Sequence, residues 1–356
     1  MKRINKFILL SCISLSLFSS CSSDDDGNDT PNLPKGTYDN GYFIINEGGS
    51  DPSTASISFI SEDNTLNSDI YRTENPNASE TGSYLQSMFF DDTRAFIISG
   101  QANQITVVDR YTFEYITTLD SDFTAPRYGV VIDDTAYVTN SNGWDDGSDD
   151  FITIINLNDY STSKLALGIT AEAITEANDI IYISNGYYGA GQTITVLDPK
   201  TNTTQLIDLG EGNAPNSFEI QNGNLFVLTN NAGSNSNIFK INIATNAISQ
   251  QMILPTLLAD AKQLDIEDNT IYFTNNTSVF KVSTSGDEDS FGKVLEYTST
   301  SDWGAMYGFA VNNGTIYIAD AGDFISNGTT FEFSLNGNQL NSYVTGISPN
   351  SFYFNN

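Results

Sequence analysis

The 356-residue chain contains no histidine. That removes the side chain most often used as a general base near neutral pH and the commonest transition-metal ligand, so serine–histidine triads and histidine–zinc sites are excluded. Cysteine is almost absent: Cys12 and Cys21 are the only two, and both fall in the first 21 residues. The rest of the chain has no thiol, hence no disulfide, no thiolate metal site and no cysteine nucleophile. Basic residues are scarce as well. Of 14 Lys and Arg, three (Lys2, Arg3 and Lys6) open the chain, which leaves 11 against 44 Asp and Glu, a net charge of −33. Such a field repels nucleic acid and anionic headgroups and favours cations, neutral ligands or basic partners. The apolar stretch Phe7–Phe18 is too short to span a bilayer as a mature helix. No Gly-rich phosphate loop stands between a strand and a helix.

The N-terminus reads as a targeting segment. Its basic start and apolar core end in Phe18-Ser19-Ser20-Cys21. Small residues before a cysteine resemble a bacterial lipobox, so residues 1–20 are expected to be a lipoprotein signal peptide and Cys21 the lipidated residue. Leu9-Leu10-Ser11-Cys12 is the alternative, but it leaves an apolar core of only about four residues. Ser22-Ser23-Asp24-Asp25-Asp26 resembles the surface-export signal of Bacteroidetes lipoproteins. Residues 21–38 read as a flexible acidic tether, and residues 39–356 as the folded domain. The expected address is the outer membrane, facing the exterior, with the lipid as the only membrane contact.

The folded part is periodic. In residues 126–157 two short apolar strands, Tyr128–Ile132 and Ala136–Asn140, are joined at Asp133-Asp134; a polar loop and a third strand, Phe151–Leu157, follow. The central aromatic of the second strand recurs as Phe43, Phe96, Tyr137, Tyr182, Phe226, Tyr272 and Tyr317, at spacings of 53, 41, 45, 44, 46 and 45. A period of about 40–50 residues with several short strands per unit predicts propeller blades. The expected fold is all-β: a seven-bladed β-propeller of four-stranded antiparallel blades, strands a to d in each. The first blade has strand d at Leu66–Tyr71 and lacks strand a. Pro349–Phe354, within a PNSFYF that copies PNSFEI at 215–220, is expected to supply it and close the ring, leaving no long sheet edge. No helical period is found after residue 20.

Tyr137-Val138-Thr139-Asn140 spells YVTN, with weaker copies YISN at 182–185, YFTN at 272–275 and FVLTN at 226–230. Over residues 41–354 the chain resembles the YVTN-repeat, YncE-like propellers. With the lipobox and the opening Ile45-Asn46-Glu47-Gly48, it also looks like the Bacteroidetes surface propeller lipoproteins, a group that includes cobalamin-capturing proteins seated over TonB-dependent transporters.

The a–b and c–d turns are short. The b–c loops (47–53, 140–150, 184–192, 230–237, 320–329) and the d–a loops (72–83, 119–126, 208–215, 297–306) are long and gather on the opposite face, where function is expected. Trp144, Trp303, Tyr187, Tyr188, Phe324 and Phe123 fall there, and exposed rings would serve to stack a planar ligand or a sugar. Ten residues before each anchor stand Gln86, Arg127, Glu172, Asn216, Lys262 and Tyr307, with Asn350 from the tail. This polar ring at the start of the innermost strands either binds a ligand over the axis or satisfies itself and channel water. Asp145, Asp146, Asp149 and Asp150 are a weak calcium candidate, without EF-hand spacing.

Three functions follow. The first is a non-catalytic surface lipoprotein capturing a nutrient on the long-loop face for a TonB-dependent transporter, with a corrinoid implied by the resemblance. The second is an adhesion or assembly propeller binding a glycan or a protein. The third is a hydrolase, because similar propellers include lactone hydrolases; Glu172 with Arg127 is the one pair to nominate.

Overall fold

A four-stranded blade with apolar residues on both faces cannot be stable alone; it needs a neighbour on each side. The chain meets that need seven times. The computed structural model describes residues 34–142, 147–187, 189–230 and 235–355, with Tyr187 described by its backbone alone. From residue 34 onward the chain forms one compact unit. The signal segment, Cys21 and the tether up to residue 33 lie outside the described residues. No described helix is long and apolar enough to cross a membrane.

Seven four-stranded antiparallel sheets form a seven-bladed β-propeller. The innermost strands are Pro349–Asn355, Leu85–Phe90, Pro126–Ile132, Ile174–Ala177, Ala214–Gln221, Lys262–Glu267 and Gly308–Asn312. Each contacts the next, and the last contacts the first, so they enclose an axis. The core is divided into seven apolar clusters, one between each pair of adjacent blades. The seven anchor aromatics lie in these clusters, none more than 8% exposed.

The tail closes the ring as expected. Pro349–Asn355 pairs antiparallel with Gly41–Asn46 in a register that sets Phe43 opposite Tyr353. Buried Asn355 fixes its end, donating to the Tyr38 carbonyl at 2.6 Å and accepting from Arg110 Nε at 2.6 Å. Tyr38 is itself buried and edge-on to Phe59 and Phe113, so the packed region reaches into the stretch expected to be tether. Its N–H bonds the carbonyl of Tyr111 in a c–d turn, which brings the chain in on the short-turn face.

Blade 1 departs from expectation on its outer edge. Strand d is only Leu66–Asn67, and residues expected to extend it form helix α1, Ile70–Glu74. Arg72 accounts for the turn inward: it bonds Asp69, Glu80 and the carbonyls of Pro52 and Ala55, while Ile70 and Tyr71 bury. The a–b turns at Asn222-Gly223 and Asn313-Gly314 have positive φ at both positions, the hairpin geometry that this dipeptide favours.

Candidate functional site

On the long-loop face the innermost strands share one irregularity. Their pairing with strand b slips at Gln86, at Arg127–Tyr128, at Asn216, at Gln263 and at Asn350. An extra residue in one strand re-aims its side chain, and here it does so at the predicted ring position in four blades and one residue beyond it in blade 6. The approach is contorted as well: Tyr84, Ala125, Met306 and Ser348, just upstream, have positive φ, a conformation that side-chain-bearing residues rarely adopt.

The ring residues largely satisfy one another. Arg127 donates from Nη1 to Gln86 Oε1 at 2.5 Å, and from Nη2 and Nε to the Glu172 carboxylate at 2.6–3.1 Å. Gln86 passes the chain to the Tyr128 hydroxyl at 3.0 Å. Asn350 donates to the Leu85 carbonyl at 2.9 Å, and Asn216 accepts from the Gln263 N–H at 3.3 Å. Tyr307 donates to Glu47 at 2.6 Å. These bonds run from blade to blade, and those of Asn350 and Asn216 pair backbone groups on the inner edge of the next strand.

Blade 6 requires a correction. The bulge there sits one residue later than expected, so Gln263 enters the belt, donating to the Tyr307 carbonyl at 3.0 Å. Lys262 is exposed and makes no ion pair among the described residues. Glu47, from the first b–c loop, is a member that periodicity did not reveal. Burial pushes its carboxyl above the usual range, against the pull of the Tyr307 hydroxyl and Arg127. Below the belt, burial raises Glu219 to about 7 and Asp265 to about 6. Glu219 is crowded by protein yet keeps some surface, and Asp265 accepts the Val311 N–H of the next blade at 2.7 Å.

Beside the belt stands an apolar crest. Trp303 is 88% exposed, Leu257 87% and Ile325 78%, with Phe324 at 36%. Among the described residues, every exposed large apolar side chain found in a loop belongs to the long-loop face; the others are on strands. Two loops of the crest are locked together. A Cβ at Gly304 would lie 2.3 Å from the Gly322 carbonyl oxygen, and the Ala321 N–H donates to the Gly304 carbonyl at 2.9 Å. Asp323 accepts the N–H groups of Ile325 and Ser326 and fixes the turn that presents Phe324 and Ile325. Phe324 packs edge-on to Tyr307 at 5.1 Å, joining crest to belt.

The structure thus sorts the candidates. Trp303 and Phe324 stand on the crest beside Tyr307, while Gln86, Arg127, Glu172, Asn216 and Asn350 build the belt. Leu257 and Ile325 went unrecognised because nothing local in sequence marks an aliphatic loop residue as exposed. Phe123, expected among the loop aromatics, is 7% exposed and folds into the cluster between blades 2 and 3. Trp144, Tyr188, Asp145 and Asp146 lie outside the described residues, as does the Tyr187 side chain. Of the calcium candidates, Asp150 is buried with its oxygens on the Asn142 and Ala171 N–H groups, and Asp149 accepts from Asn142. Both brace the loop. No cluster of three or more potential metal ligands occurs among the described residues.

A family model for a domain of unknown function, DUF5074, matches residues 40–319. No curated protein matches the chain in sequence. Among solved structures, the chain is similar to a quinonprotein alcohol dehydrogenase-like protein from Bacteroides thetaiotaomicron, with a TM-score of 0.71 and 16% identity over 90% of this chain and 79% of that one. It is also similar to a functionally unknown protein from Desulfotomaculum acetoxidans (TM-score 0.64, 13% identity, 88% and 98% covered). BamB from Moraxella catarrhalis gives a TM-score of 0.55 at 12% identity, with 88% and 85% covered. At these identities the likeness speaks for the propeller architecture alone.

Proposed function

The chain belongs to the DUF5074 family of domains of unknown function, and from that premise we propose that it is a non-catalytic binding module working through its long-loop face. The observation that carries this reading is the crest of Trp303, Ile325 and Phe324 on two interlocked loops, held out of the core beside a rigid polar belt, with Leu257 exposed on another loop of the same face. Exposed apolar side chains on braced loops gain by being covered, at roughly 25 cal/mol per Å², and Trp is over-represented among residues that dominate binding energy. The belt supplies polar groups held in place by one another around the axis beside that crest. Glu172 is held by three bonds from Arg127, an arrangement that favours positioning over the free general base a hydrolase needs.

In its finer form the proposal is a YncE-like lipoprotein anchored through Cys21 on the outer membrane, capturing a nutrient, with a corrinoid as the first candidate, for a TonB-dependent transporter. The described chain enters the domain on the short-turn face, opposite the crest. The test is titration of the whole chain with cyanocobalamin, followed by tryptophan fluorescence. Saturable binding at micromolar ligand or below, weakened at least tenfold in Trp303→Ala, is the expected result. No binding refutes the corrinoid form. An extracellular protein or glycan captured from solubilised membranes through Trp303 would then favour the adhesion alternative.

A further inference from the structure

The short-turn face, opposite the crest, carries a cavity at the seam between blades 7 and 1. It measures about 620 Å³, within the range of small-molecule sites. It lies where the a–b and c–d turns of the two blades meet, between Asn40, Glu62 and Asn64 of blade 1 and Asn312, Asn313 and Asn341 of blade 7.

The wall is apolar. Tyr42 and Tyr317, edge-on to each other at 4.8 Å, are core residues that form its buried backing, and its accessible apolar surface comes from partly buried Phe354, packed on Tyr317 at 5.1 Å, and from Leu340, 52% exposed. The rim is rich in primary amides, and those of Asn40, Asn312 and Asn313 make no side-chain hydrogen bond among the described residues. Each amide offers both donor and acceptor, the pairing that adjacent hydroxyls require. Glu332, at the back, is already engaged by the Tyr42 hydroxyl and Asn341, both at 2.6 Å. It therefore fixes the wall and does not call for a cation. No Lys or Arg lines the cavity, while Glu62 and Glu332 do, so an anion would be repelled.

We propose that this seam cavity binds a neutral polyhydroxylated ligand, a saccharide unit, with its apolar ring face on Phe354 and Leu340 and its hydroxyls on the asparagine rim. The site is independent of the crest. Saturation-transfer NMR on the whole chain, using maltoheptaose, cellohexaose and mannohexaose as neutral probes and a chitosan hexamer and a heparin hexasaccharide as charged ones, provides the test. At least one neutral probe is expected to bind, at least fivefold more weakly to Asn312→Ala and unchanged in Trp303→Ala. Asn312 is half-buried and its side chain has no hydrogen-bond partner among the described residues, so its loss leaves the fold intact, which the melting temperature checks. Binding of charged probes alone, no binding by any neutral probe at millimolar concentration, or sensitivity to Trp303→Ala in place of Asn312→Ala overturns the proposal.

Discussion

Asn140 closes the YVTN tetrapeptide, and its amide explains the motif physically. It donates to the Val138 carbonyl and the Thr153 hydroxyl at 2.9 Å, and accepts the Thr124 N–H of the preceding d–a loop at 2.9 Å. Asn46 and Asn185 do the same three residues after their own anchors, bonding Ser56 and Ser58, and Thr193 and Thr195. The motif is therefore a bracket between loop and sheet and not a ligand site. Asn140→Ala should cost about 1–3 kcal/mol, because buried partners lose their bonds, and a denaturation midpoint checks it. Sequence exposes the recurrence of this asparagine but not its partners, which lie in a different loop each time. Titration at Glu219 gives a second prediction. Its carboxyl is raised to about 7, so between the ordinary carboxylate value and pH 7 the folded state holds a proton that the unfolded state has lost. Stability attributable to this group must then fall as pH rises from about 4.5 to 7. Thermal melts across that window should show a shallower decline in Glu219→Gln than in the parent; an equal slope would remove Glu219 from the account.

At the scale of elements, the bulged inner strands and the locked loops determine which side chains reach solvent. The ring position was legible because a 41–53-residue period locates it. The bulge was not, and a slip of one residue replaces Lys262 by Gln263 in blade 6. Helix α1 escaped notice because five residues give no measurable period and tertiary bonds from Arg72 determine its shape. Phe123 shows the converse: a loop aromatic finds a core if one lies within reach. The Gly304–Gly322 contact makes a direct prediction. Gly304→Ala forces a methyl to within 2.3 Å of a backbone oxygen, which separates the two crest loops. The expected result is a melting temperature lower by about 2–6 °C and loss of Trp303-dependent binding. Unaltered binding would mean that the loops need not be locked.

For the whole molecule, the seven-fold ring and its closing strand were readable from aromatic spacing and the copied PNSF segment, since repetition fixes phase where a single strand cannot. Exposure was not readable, because it depends on how long loops fold over one another. Closure has an energetic consequence. Removing residues 347–356 deletes the whole innermost strand of blade 1, with Phe352 and Asn355 buried in it. A loss of at least about 5 kcal/mol is expected from one large apolar side chain and its ladder, so this truncated chain should melt far below the parent or fail to fold. The working face is the central claim, and photocrosslinking in living cells tests it most directly. A photoreactive phenylalanine analogue is placed at Trp303 or Ile325 on the crest, and at Leu206 on the outermost strand of blade 4, exposed at 55%. The account predicts a defined adduct from both crest positions and none from position 206. An adduct from 206 with none from the crest would contradict it.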